Sequence, residues 1–155
     1  MIQRIQSVFL ALVTLLSLLL FTGSFLNFTE PTGSFIKIAF AGIMRQTAGL
    51  ELLIIQPAYT YSALVLLIPL ISLVTIFFYR NRKFQMLFVI ALIIVILSLI
   101  IVSVVYYSLI LETYGAPLKP GFMMLIPLCM LIFSALAYRS IKKDDEIVKS
   151  YDRLR

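Results

Sequence analysis

An all-α membrane protein is predicted: a four-transmembrane-helix antiparallel bundle with a small extracytoplasmic β element and a helical cytoplasmic C-terminal tail. Three observations lead there. Of the 155 residues, 62% are hydrophobic and 13% charged, and the mean hydropathy is +1.08, well outside soluble-domain composition. Four stretches contain no charged residue at all, namely 5–29, 52–79, 84–111 and 121–138. The Lys and Arg residues are also divided unequally between the segments that join these stretches.

Each apolar stretch is long enough to cross a bilayer. About 30 Å of hydrocarbon requires about 20 helical residues at about 1.5 Å rise each. The four runs have 25, 28, 28 and 18 residues, so the fourth is the shortest acceptable span and is bounded by Tyr138 and Arg139. The expected spans are about 5–26, 57–79, 84–108 and 121–138, within a single membrane domain covering 1–155. The first run also has the pattern of a signal peptide, with Arg4 ahead of an apolar core and a small-residue stretch at Thr22, Gly23 and Ser24. It is read as an uncleaved first helix.

With four spans, both termini lie on one side. That side carries Arg4, the connection with Arg80, Arg82 and Lys83, and the tail with Arg139, Lys142, Lys143, Lys149, Arg153 and Arg155, offset by Asp144, Asp145, Glu146 and Asp152. The opposite side holds Lys37, Arg45 and Lys119 against Glu30, Glu51 and Glu112. The net charges are therefore +6 and 0. The positive-inside rule places both termini of this multi-pass chain in the cytoplasm. Sidedness thus accounts for the net +6, and no groove-reading motif accompanies the basic residues, so nucleic-acid binding is not expected. Arg80, Arg82 and Lys83 are candidate contacts for anionic lipid headgroups, each contributing about 1 kcal/mol near the surface.

The outer connection, 27–56, divides at Pro and Gly into short pieces rich in Phe and Ile. Residues 25–29, 35–40 and 50–55 are expected as two or three antiparallel strands, with 30–33 a turn and Gly42 and Gly49 in a loop. So small a sheet needs the helix ends or a partner to pack on. Pro57 suits the first turn of the second helix. Pro69 and Pro127 are expected inside the second and fourth helices, as packing kinks or, facing each other, as the walls of a small cavity. Ser72 and Thr75 are placed to satisfy backbone freed nearby. Seven tyrosines, Tyr59, Tyr61, Tyr79, Tyr106, Tyr107, Tyr114 and Tyr138, fall near span ends as an interfacial belt. The segment 108–120 reads as turns. In the tail, 139–155, Ile147, Tyr151 and Leu154 recur at helical spacing, Asp145 and Lys149 form an i, i+4 pair, and neither Gly nor Pro interrupts.

Composition also narrows the chemistry. The chain has no His and one Cys, Cys129, inside an apolar run. His-based acid–base chemistry, Cys/His metal sites and intrachain dithiol chemistry therefore lack their parts. No catalytic residue, metal ligand or cofactor site is assigned.

The opening Met1, Ile2, Gln3, Arg4, Ile5, Gln6, Ser7, the turn from Tyr79 through Gln85 and the ending from Lys142 through Arg155 together resemble domain of unknown function 4293. These are small four-span membrane proteins of Bacteroidetes. The resemblance covers essentially the whole chain and is most specific in the tail, with its acidic stretch followed by Asp152, Arg153, Leu154 and Arg155. It implies a bacterial host and an inner-membrane location, and it carries over no activity.

The expected function is that of a non-enzymatic accessory or partner-binding subunit of the membrane. Ile147, Tyr151, Asp152, Arg153, Leu154 and Arg155 are candidate docking residues for a membrane-protein partner or a second copy. The alternative is a lipid-binding or lipid-sensing protein. A transporter is disfavoured because the spans contain no ionisable residue and show no repeat. An enzyme built on Glu30, Glu51 and Glu112 is disfavoured because their spacing makes no motif. No GxxxG marks a helix-pairing face.

Overall fold

The computed structural model describes residues 5–30, 33–46, 53–78 and 81–153, with side chains on the last helix described as far as Ile147. These residues form four α-helices and a five-stranded sheet. The helices are α1 (Ile5–Thr22), α2 (Tyr59–Phe77), α3 (Arg82–Tyr114) and α4 (Ile126–Arg153), the last entered through a short 3-10 turn, Phe122–Leu125. All four elements are long and apolar enough to cross a membrane. They pack in a ring, each against its sequence neighbours and α1 against α4. One stripe of each faces the centre, where Leu10, Val13, Val65, Ile68, Leu92, Ile96, Met130 and Ala137 are buried. The remaining faces carry exposed Leu, Ile and Val, including Leu15, Leu70, Ile94 and Ile132, as expected of helices whose outer solvent is lipid.

The strands are β1 (Ser24–Thr29), β2 (Phe35–Ala39), β3 (Gly42–Gln46), β4 (Leu53–Gln56) and β5 (Leu118–Lys119). Their order is β4-β3-β2-β1-β5, every neighbour antiparallel. Four strands thus come from the α1–α2 connection and the fifth from the α3–α4 connection. This pairing fixes both connections at one end of the helices. At the other end, the Arg82 guanidinium donates to the Asp144 carbonyl oxygen at 2.7 Å, tying the α2–α3 turn to α4.

The sheet corrects the predicted class: the molecule is not all-α with a small β element, but four apolar helices joined to a sizeable antiparallel sheet. Two strands escape the sequence reading. Residues 42–46, read as a loop, are β3, joined to β2 through the two residues Phe40 and Ala41. Residues 118–119, read as part of a turn, are β5. Strand β4 begins at Leu53, and residues 47–52 lie outside the described residues. Alternation gives the sheet one buried face, with Leu26, Phe28, Ile36, Ile38 and Ile43 directed at the helices. Glu30 and Arg45 form an ion pair at the far edge of that face.

Helix lengths follow from this capping. Helix α1 stops at Thr22, short of the expected 26, because Gly23 hands the chain to β1, its N–H still bonded to the Leu19 carbonyl at 3.2 Å. Helix α3 has 33 residues, about 50 Å at about 1.5 Å per residue, and so exceeds the hydrocarbon thickness of about 30 Å. The excess carries Ile110 up against the sheet, where it is buried. Gly115 then closes α3 in the left-handed conformation (φ 59°), its N–H bonded to the Leu111 carbonyl at 3.0 Å.

The prolines also depart from expectation. Pro69 does lie inside α2 and is buried. Pro127 stands where the 3-10 turn Phe122–Leu125 passes into α4, as the second residue of that helix, nearer the start of its span than Pro69 is in α2. Ser72 serves the neighbouring helix rather than its own. Its hydroxyl donates to the Leu10 carbonyl at 2.8 Å and accepts from the Thr14 hydroxyl at 3.0 Å, linking α1 to α2 in the core. Tyr61, expected in an interfacial belt, is fully buried and stacks on Phe25 with ring centroids 5.7 Å apart.

Candidate functional site

A concavity lined almost wholly by apolar side chains lies where the sheet meets α3 and α4. A bulge between Ser24 and Leu26 shifts the register of β1, turning both Phe25 and Leu26 inward. Two residues on, Phe28 stacks on Tyr107 of α3, centroids 6.2 Å apart. Below these rings the helices diverge and leave a cavity of about 230 Å³.

The walls follow helical periodicity. Ile100, Ser103, Val104 and Tyr107 form one stripe of α3 at i, i+3, i+4 and i+7. Met124, Pro127 and Leu128 form the facing stripe at the start of α4, and Leu118 of β5 closes the top. Pro127 therefore shapes a cavity, but with α3 rather than by opposing Pro69. The Ser103 hydroxyl is committed to the Leu99 carbonyl of its own helix at 2.6 Å, which leaves Tyr107 as the polar group at the outer rim. Val104 and Leu128 are exposed at the mouth. Both stripes lie within charge-free runs, toward the end of the helices that carries the sheet.

The residues singled out from the sequence lie elsewhere and do not form one site. Arg82 is half-buried and held by the Asp144 carbonyl, Lys83 is exposed, and Arg80 lies outside the described residues. Ile147 is exposed on the part of α4 that extends past the apolar run. Tyr151, Asp152 and Arg153 belong to the same helix, their side chains outside the described set, as are Leu154 and Arg155 altogether. Of the three glutamates, Glu30 is buried and paired with Arg45, Glu112 is exposed near the outer end of α3, and Glu51 lies outside the described residues. No cluster of three metal-ligating side chains occurs among the described residues.

The cavity was missed because Phe, Leu, Ile, Val and Met from four separate segments carry no motif. The available signal was modest: polar Ser103 at helical spacing from Tyr107, opposite a proline at the start of the next apolar run.

Four membrane-capable helices capped by a sheet from two of their connections define a multi-span membrane protein. A family model described as Domain of unknown function (DUF4293) matches residues 2–154, and the chain belongs to that family. No curated protein matches, and no solved structure matches.

Proposed function

We infer that this is a non-enzymatic protein of the bacterial inner membrane, both termini cytoplasmic, that holds a phospholipid acyl chain in the groove between β1, α3 and α4. The observation that carries the reading is the lateral apolar mouth between Val104 and Leu128. An unfilled apolar groove between membrane-spanning helices is surrounded by acyl chains, and its volume of about 230 Å³ is below the range of about 300–1,000 Å³ typical of whole-ligand pockets. One chain segment suits it better than a headgroup. The orientation is supported by the ten Lys and Arg residues on the side away from the sheet.

The test is photocrosslinking of the full chain in bilayers containing a diazirine-labelled phospholipid. Adducts are expected concentrated on peptides containing 100–107 and 124–128, and the Leu128→Trp variant, which fills the mouth, is expected to remove most of them. Labelling spread evenly over lipid-facing positions such as Ile90 and Leu97 would sink the groove.

A partner-binding role is the second reading, favoured by β4. This strand ends the sheet, and Leu53, Ile54 and Ile55 are all exposed on it, a combination suited to strand addition by another chain. Gentle co-purification of the parent protein and of a variant with Ile54→Lys would detect it. An identical set of recovered proteins from both would remove β4 as the docking edge.

A further inference from the structure

A second cavity, of about 250 Å³, lies at the opposite end of the molecule, between the start of α1 and the stretch of α4 beyond its apolar run. Ile5 and Gln6 form one wall. Ser140, Lys143, Asp144 and Ile147 form the other, at i, i+3, i+4 and i+7 on one face of the helix. Ser140 is two residues past Tyr138, where the charge-free run ends, so the cavity sits at headgroup level.

Its lining has a distinctive chemistry. Gln6 is only 7% exposed, and its Oε1 has no hydrogen-bond partner among the described residues. A buried amide oxygen without a donor is costly, and here it borders a space large enough to admit one. Across that space stand an ammonium (Lys143), a hydroxyl (Ser140) and a carboxylate (Asp144). Ile5 and Ile147, both exposed, supply apolar surface at the rim. Arg82 is engaged with the backbone at Asp144, and Lys143 is the cation on this wall, beside the Asp144 carboxylate.

We propose that this cavity binds a phospholipid through a phosphodiester carrying a primary ammonium, that is, a phosphoethanolamine headgroup. The phosphate pairs with Lys143 and accepts from Ser140, while the ammonium donates to Gln6 Oε1 and faces the Asp144 carboxylate. A primary ammonium has three N–H donors for this purpose, whereas a trimethylammonium has none. The site therefore separates phosphatidylethanolamine from phosphatidylcholine by hydrogen bonding at equal net charge. The proposal rests on the membrane reading of the chain but not on the sheet-side groove.

The experiment places the full-length protein in nanodiscs with equal parts of phosphatidylethanolamine, phosphatidylcholine and phosphatidylglycerol, and counts retained lipids by native mass spectrometry. Phosphatidylethanolamine is expected in at least about threefold excess over phosphatidylcholine. Gln6→Leu is expected to bring that ratio to about one, and Lys143→Met to lower retention of all three lipids by about threefold or more. Lys143 is exposed, so its variant keeps the test decisive if Gln6→Leu fails to fold. An equal ratio in the parent protein, or an excess surviving both substitutions, overturns the site. Displacement of the retained lipid by inorganic phosphate alone overturns it too, because the ammonium contact would then be idle. Leu128→Trp is expected to leave the ratio unchanged, which separates failure here from failure of the groove.

Discussion

The two ends of the helix ring are finished in different ways. One end is closed by a sheet whose apolar face, Leu26, Phe28, Ile36, Ile38 and Ile43, lies on the helices. The opposite end has no such cover among the described residues; there the helices bury amides, Gln6 and Gln85, and α4 simply runs on toward its charged end. Apolar closure gives rigidity, with stacked rings and paired strands. Polar closure gives discrimination, because a buried amide rewards a partner with the matching hydrogen-bond group.

The sharpest way to break this contrast is at Gly42. Its φ of 136° is a backbone conformation that L side chains rarely adopt, and a Cβ there would lie 2.8 Å from the Gln56 carbonyl oxygen. Gly42→Ala is expected to lose at least about 2 kcal/mol, seen as a lowered midpoint in circular-dichroism melting, with the strand signal lost before the helical one. A single cooperative transition in which both are lost together would show instead that the two ends are one stability unit.

Glu30→Ala should cost less. It removes the partner of Arg45, whose side chain is 40% exposed and can turn toward water, so about 1 kcal/mol is expected from the same melting experiment. Ser72→Ala, midway between the ends, deletes the α1–α2 hydrogen bonds at Leu10 and Thr14. An effect of about 0.6 kcal/mol is expected, the usual size for such bonds within membranes. Pro127→Ala is expected to shift stability by no more than about 0.5 kcal/mol, because Pro127 stands at the junction of the 3-10 turn and α4, where proline is tolerated. A larger loss there would mean that the proline ring itself holds the groove open.

The helices were legible because membrane spans are written in composition: long charge-free runs mark all four, and Arg82 and Arg139 stand near their boundaries. The sheet was only half legible. Strand β2 alternates Ile36 and Ile38 with Lys37, and reads as a strand. Strand β3 follows a two-residue link, Phe40 and Ala41, without the Asn-Gly or Asp-Gly signal of a tight hairpin, and it ends in Arg45 and Gln46. Strand β5 is two residues between prolines, and only its pairing with Asn27 and Phe28 reveals it. The cavities were less legible still. Gln6 stands in the sequence as one polar residue at the edge of an apolar run, and only the fold brings it to the same cavity as Ser140 and Lys143.

The pairing of β1 with β5 bears on how the molecule is made. Ribosomal synthesis proceeds at about 5–20 residues per second, and 61 residues separate the end of β4 at Gln56 from the start of β5 at Leu118. The two hairpins of the first connection therefore emerge roughly 3–12 seconds before their last neighbour is made. During that interval the β1 edge is bare, and it becomes covered only once α3 has been threaded through the bilayer. A chain arrested after its second helix thus carries the β1 edge without its β5 partner, an open row of strand N–H and C=O groups.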